Sequence, residues 1–70
     1  MALAFAPFGR ELKITKILAD EKTKRHLKNL GLIIGADIIS MYDNCGNVII
    51  KVKDCKLALN KTLALKIYVA

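Results

Sequence analysis

The chain has 70 residues, a net charge of +6 and a hydrophobic share of 54%, with only two phenylalanines and two tyrosines. A chain of this length forms one domain at most, with an aliphatic core. Its surplus of Lys and Arg indicates either an acidic partner or, equally well, a solvated basic surface. Apolar runs such as Leu30–Ala36 fall short of the ~18 residues that cross a bilayer. The opening residues lack the basic region of a secretory signal, so we expect a cytoplasmic protein without membrane insertion.

The first predicted elements are an apolar N-terminal segment and a strand. Residues 1–8 are turn-like, and we expect Leu3, Phe5 and Phe8 to lie across one end of the domain. Residues 11–18 alternate between apolar and polar side chains and then lose their phase in the last three positions. This pattern predicts a strand with a bulge or bend near its end.

A short helix is predicted over Glu21–Leu30, with Asp20 as its N-cap and Glu21 in the first turn, where a negative charge suits the helix dipole. Leu27 and Leu30 lie three positions apart and share one helix face, so we expect both to be buried. The opposite face of this helix is basic.

Two glycines organise the segment that follows the helix. Gly31 stands where a helix ends in the left-handed conformation, and in such a Schellman ending Leu27 and Leu32 make an apolar contact. Gly35 is a second point where a Cβ would restrict the backbone, just before the β-branched pair at 38–39. The segment therefore predicts a helix, an apolar corner and a strand.

The second half of the chain predicts four more short strands and one helical turn. Residues 36–42 carry apolar side chains on both faces, so the core face of this strand stays open. Turn-forming residues over 43–47 predict a hairpin loop of three to five residues, with Gly46 at positive φ. The remaining predicted elements are strands over 47–53, 56–59 and 66–69 and a helical turn over 61–64 capped by Asn60.

The predicted fold is mainly β, with about five strands and one short helix inserted after the first strand. Strands this short and this closely spaced, with little else to cover an open sheet, favour a small closed barrel. Closure also removes sheet edges that would pair with neighbouring molecules. We assign residues 1–70 to this single domain.

Residues typical of catalysis or metal binding are sparse. One histidine, His26, and one serine, Ser40, form no evident nucleophile and base set, so we expect no enzymatic activity. His26 has no histidine or carboxylate at i±4, and we expect no intrinsic metal site. Cys45 and Cys55 lie near opposite ends of one predicted strand, too far apart for a disulfide or a shared metal.

A binding surface is the better candidate for a functional site. A basic helix face beside an exposed aliphatic corner is typical of a protein-docking patch, although packing of the corner in the core explains the same residues equally well. We expect one or two of the three corner residues to be core and Ile33 to face outward. The candidate residues are Lys24, Arg25, Lys28, Leu32, Ile33 and Ile34.

The corner also carries a family resemblance. The segment LKNLGLIIGADI is similar to the signature of the FeoA family, small cytoplasmic proteins associated with bacterial ferrous iron transport. Ile34 sits where the family often has proline. The stretches 52–59 and 64–69 resemble later strands of the family, with Asp54 where a glycine is common, so the resemblance covers nearly the whole chain. The corner residues that match the signature are Leu27, Leu30, Gly31, Leu32 and Gly35.

The resemblance implies an SH3-like β-barrel, in agreement with the strand count. It implies a non-enzymatic accessory or regulatory module that docks on the cytoplasmic G-protein region of a FeoB-type membrane transporter. No resident cofactor is expected, while an association with Fe²⁺ and a weak homo-oligomer stay open. One alternative is a small basic barrel that binds nucleic acid, against which the four aromatic residues form no strand-spaced stacking platform. The other is a free-standing regulatory domain similar to the C-terminal domain of diphtheria-toxin-repressor-type metal regulators.

Overall fold

A computed structural model describes residues 1–70. The five strands form one antiparallel sheet in the order β4-β3-β2-β1-β5, which confirms the mainly β class with one helix after the first strand. The element bounds are a 3-10 turn (Leu3–Phe5), β1 (Glu11–Ile17), α1 (Glu21–Asn29), β2 (Asp37–Asn44), β3 (Asn47–Val52), β4 (Cys55–Asn60), the helical turn α2 (Lys61–Ala64) and β5 (Ile67–Val69).

The two end strands of the sheet have different surroundings. The outer edge of β5 is covered by the N-terminus, since the Val69 N–H donates to the Met1 carbonyl at 2.8 Å and Ala2 forms a bridge with Tyr68. Strand β4 pairs with β3 alone. The prediction that barrel closure removes the sheet edges therefore needs correction, because no backbone ladder joins β4 to β5. These strands are joined by α2, which packs against the 3-10 turn.

The core is aliphatic, as the composition predicts. Phe5 and Phe8, which the sequence predicts across one end of the domain, add little to this core, because they are 71% and 56% exposed. Leu3 alone of the three is buried, since the 3-10 turn carries residues two positions apart to different sides. The largest fully buried apolar side chains are Leu3, Ile14, Leu27, Leu32, Ile38, Ile50, Ile67 and Val69.

Two bulges decide which residues face the core. Strand β1 shifts its register against β5 between Ile14 and Lys16, close to the predicted break, and both Ile14 and Ile17 are buried. Strand β2 turns Ile38 and Ser40 inward and shifts register against β3 immediately afterwards. Beyond that shift no residue of β2 is buried, while Ile39 and Met41 are half-buried. The core face of β2, which the sequence left open, is therefore the face of Ile38 and Ser40.

Two local predictions need correction. The β2–β3 loop has two residues, Cys45 and Gly46, at φ 52° and 84°, because the strands pair as far as Asn44 and Asn47. The predicted loop of three to five residues is therefore too long. Leu30 was predicted to be buried, but it is 37% exposed, because α1 ends at Asn29 and Leu30 is its C-cap.

Candidate functional site

Helix α1 is capped at its N-terminus by Asp20. The Asp20 carboxylate accepts a hydrogen bond from the Thr23 backbone N–H at 2.8 Å, as the sequence predicts for an N-cap. Hydrogen bonds from Thr23 lower the pKa of Asp20 below its ordinary value, and the positive charge of Lys66 acts in the same direction. The start of the helix is thus fixed by an ionised cap over the neutral pH range.

The outer face of α1 is basic and lacks acidic partners. Leu27 is the only buried residue of the helix, so the apolar stripe is narrow. Lys24, Arg25 and Lys28 are all exposed. The one ion pair of the structure lies elsewhere, between Lys13 and Asp37 on β1 and β2 at 2.9 Å. Lys24, Arg25 and Lys28 are therefore available to an external group.

Helix α1 ends in a complete Schellman motif. The Leu32 N–H donates to the Leu27 carbonyl at 2.8 Å, and the Gly31 N–H donates to the Lys28 carbonyl at 2.9 Å. Gly31 has φ 90°, and Leu27 and Leu32 are both fully buried. The ending predicted from the sequence is confirmed, and it directs the chain away from the helix with Leu32 in the core.

A tight turn places the next two side chains outside the core. The Ala36 N–H donates to the Ile33 carbonyl at 3.0 Å, and Gly35 occupies the third position with φ 92°, which defines a type II turn. The Gly35 N–H donates to the Ile14 carbonyl of β1 at 2.7 Å and holds the turn against the sheet. As a result Ile33 is 46% exposed and Ile34 is 65% exposed.

The basic helix and the turn enclose an open groove of about 400 Å³, which we call the corner groove. Five of the six predicted site residues line it, and Ile17 from the end of β1 completes its wall. Ile17 was not predicted, although its spacing of three from Ile14 across the bulge was a usable signal. The lining residues are Ile17, Lys24, Lys28, Leu32, Ile33 and Ile34.

Arg25 is the predicted site residue that lies outside the corner groove. It borders a neighbouring polar depression of about 230 Å³ together with Glu21, Lys24 and Lys28. Glu21 precedes Arg25 by one helical turn, so part of the field of the guanidinium is offset by a carboxylate of the same helix. Lys24 and Lys28 border both depressions and are the cations that flank the exposed isoleucines.

Potential metal ligands are dispersed over the structure. No group of three or more His, Cys, Asp or Glu side chains is arranged to hold a metal ion. His26 is exposed on α1, and the thiols of Cys45 and Cys55 are both exposed and free. No helix has the length and apolar character needed to cross a membrane. The feature that brings the candidate residues together is thus a surface groove with an apolar floor and a basic rim.

The FeoA domain family model matches residues 1–70 of the chain. The chain belongs to the FeoA family. A protein provisionally named Fe(2+) transport protein A from Methanocaldococcus jannaschii is 36% identical over 67 residues, which are 96% of this chain and 82% of the relative.

Solved structures show the same fold. A crystal structure of an iron uptake regulatory protein (FeoA) superposes with a TM-score of 0.86 at 28% identity, covering 99% of this chain and 92% of that chain. The SH3-like architecture is thereby confirmed. A manganese-dependent transcriptional repressor superposes with a TM-score of 0.88 at 16% identity and contains the fold in 40% of its chain. At that identity the likeness shows a shared fold alone.

Proposed function

We propose that this FeoA chain is a non-enzymatic accessory or regulatory module of ferrous iron transport that works in the cytoplasm. We further propose that it docks through the corner groove on the cytoplasmic G-protein region of a FeoB-type transporter. The observation that carries the docking proposal is the exposure of Ile33 and Ile34, at 46% and 65%, directly beside Lys24 and Lys28.

Family membership supports the transport role. The Methanocaldococcus jannaschii relative is named for Fe(2+) transport, and the FeoA crystal structure is described as an iron uptake regulatory protein. The candidate metal ligands of this chain are dispersed, so its contribution to transport is better explained by contact with another protein than by carrying the ion. A regulatory contact also needs no catalytic group.

The chemistry of the corner groove defines the partner surface. Full burial of an exposed isoleucine gains roughly 1.5–3 kcal/mol. Docking would gain a part of this for each of Ile33 and Ile34, since they are 46% and 65% exposed. The unpaired ammonium groups of Lys24 and Lys28 select against basic surfaces and favour acidic ones. We therefore expect the partner to present an apolar knob or ridge flanked by Asp or Glu.

The decisive experiment measures binding of the purified chain to the purified cytoplasmic region of its own FeoB-type transporter. Ile33→Ser/Ile34→Ser and Lys24→Glu/Lys28→Glu should each weaken binding by about ten-fold or more, because each removes one half of the recognition chemistry. Arg25→Glu should have a smaller effect, because Arg25 lies beside the groove and not in its wall. Circular dichroism checks that every variant remains folded.

A matched control separates the groove from net charge. Lys16→Glu/Lys61→Glu changes the charge by the same amount at exposed residues outside the corner groove, and it should leave the affinity within about two-fold. Equal losses in the control and groove variants would refute the site. A parallel pull-down from cell membranes that returns ribosomes or nucleic acid and no transporter would favour the nucleic-acid alternative.

A further inference from the structure

The structure leaves the outer edge of β4 uncovered, and the lysines near this edge favour an acidic partner. We propose that the outer edge of β4 accepts an extended acidic segment of another protein as an added strand. This surface lies on the opposite end of the sheet order from β5 and shares no residue with the corner groove. The proposal is therefore independent of the proposed function.

The backbone of β4 has the geometry that strand addition requires. A two-residue loop joins β3 to β4, with Val52 opposite Cys55 and Ile50 opposite Leu57. In such a hairpin these inward pairs exchange hydrogen bonds with β3, so the N–H and C=O groups of Lys56 and Ala58 point to the free edge. No turn or loop hydrogen bond of the chain uses those groups. Both residues are exposed.

The β3–β4 loop and β4 carry three charged side chains, of which Lys53 and Lys56 are positive and Asp54 is negative, so the balance of charge beside this edge is positive. Lys56 lies directly opposite Lys51 of β3 on the outer face of the sheet, and Lys53 follows in the loop. Like charges at directly opposed positions of an antiparallel pair are unfavourable. None of these lysines forms an ion pair, since the structure has a single ion pair, between Lys13 and Asp37. An acidic residue placed opposite Lys56 would relieve this repulsion.

Charge also decides between the occupants of the edge. Lysine on an exposed edge prevents two copies of one chain from pairing, because each copy brings the same charge. The net charge of +6 adds to that repulsion. An acidic strand from a different protein meets no such barrier. Strand addition supplies affinity through main-chain hydrogen bonds, and the alternate side chains supply specificity.

The other face of the added strand would be apolar. Leu57 of β4 points inward yet is only half-buried, because no further strand covers it. A partner residue on that face would complete its packing against the core. The expected segment thus alternates acidic residues on the Lys56 face with aliphatic residues on the Leu57 face, since successive side chains of a strand alternate between faces.

The test uses the full chain and a fluorescein-labelled peptide of about seven residues that alternates Glu and Val. Fluorescence anisotropy gives the affinity. Lys56→Glu should weaken binding by about ten-fold or more, and Lys22→Glu, an equal charge change on exposed α1, by less than about two-fold. Equal losses in the two variants would mean that net charge alone attracts the peptide, and would overturn the proposal.

Three further measurements separate strand pairing from charge attraction. Peptide N-methylated at the amides that face β4 should lose binding, because it keeps its charges but not its donors. Ala58→Pro should also abolish binding, since it removes an outward N–H and leaves the β3 ladder intact. Amide exchange at Lys56 and Ala58 should slow when the unmodified peptide is added. Absence of binding, or binding that survives N-methylation, would refute the added strand.

Discussion

At the scale of single residues, the most informative position is Ser40. Its side chain is fully buried on the inner face of β2, and its hydroxyl has no hydrogen-bond partner. The Ser40 backbone remains useful, because its carbonyl accepts a hydrogen bond from the Gly9 N–H at 2.7 Å. The buried hydroxyl therefore destabilises the fold, and the backbone hydrogen bond does not depend on it.

Ser40→Ala should raise the free energy of unfolding by about 1 kcal/mol, since it removes a buried unsatisfied polar group and keeps the backbone unchanged. Urea denaturation of the two proteins measures this difference. Thr15→Val is the matched control, because the exposed Thr15 hydroxyl does donate, to the Tyr68 carbonyl at 3.3 Å. That change should not stabilise the fold, and a loss of stability in Ser40→Ala would show that its hydroxyl is satisfied.

Among the site residues, the sequence predicted chemistry better than exposure. Helix periodicity predicts that Lys24 and Lys28 lie on the outer face of α1. The Schellman pattern predicts that Leu32 packs against Leu27. The exposure of both Ile33 and Ile34 depends on the type II turn and on the hydrogen bond that ties it to β1, from the Gly35 N–H to the carbonyl of Ile14, a residue distant in sequence. Local patterns do not contain that long-range contact, so the sequence predicted only that at least one corner residue, Ile33 before the others, faces outward.

At the scale of elements, the type II turn that joins α1 to β2 depends on its two central residues, Ile34 and Gly35. Gly35 has φ 92°, and an added Cβ would meet nothing within 4 Å. Gly35→Ala should therefore destabilise the fold by about 1 kcal/mol through backbone strain alone, without a steric clash.

The FeoA family often has proline at the position of the neighbouring Ile34. Ile34 is the second residue of the turn, and its N–H makes no turn hydrogen bond.

Ile34→Pro should raise the free energy of unfolding by about 0.4–1 kcal/mol, because proline suits the second position of a type II turn and restricts the unfolded chain. Thermal unfolding of Ile34→Pro and Gly35→Ala should thus shift in opposite directions from the parent protein. A fall in melting temperature for both variants would mean that the corner does not adopt this turn in solution.

Element order was predictable throughout, and element ends were less so. Caps at Asp20 and Asn60 marked both helix starts correctly, since their side chains accept hydrogen bonds from Thr23 and Leu63. The β2–β3 loop was predicted too long, because Cys45 adopts a positive φ that is uncommon for a residue with a side chain. The positive φ predicted at Gly46 is confirmed.

At the scale of the whole molecule, the sequence predicted the strand number but not the sheet edges. The N-terminus covers β5 through contacts between residues that are more than sixty positions apart, including Met1 to Val69. No local pattern encodes such a contact. The sheet has two edges, and because the N-terminus covers the edge of β5, only the edge of β4 is free. The free edge of β4, where we propose that a second partner binds, is thus evident only from the sheet topology.

The charge balance of the molecule leads to a prediction about salt. A net charge of +6 with a single ion pair implies net repulsion within the folded state. Added NaCl should therefore raise the melting temperature, most strongly at low ionic strength, where the Debye length exceeds about 10 Å. Lys56→Glu should raise it further at low salt, by the equivalent of about 0.2–1 kcal/mol, because the new carboxylate lies opposite Lys51.

The same variant should show a weaker salt dependence, since its net charge falls from +6 to +4 when one positive charge is replaced by one negative charge. Differential scanning calorimetry of both proteins over a series of NaCl concentrations measures this effect. Sodium sulfate is avoided in that series, because excluded salts stabilise folded proteins by a route unrelated to screening. If the melting temperature falls as NaCl is added, the folded charges attract one another on balance, and repulsion between Lys51 and Lys56 does not limit the stability of the fold.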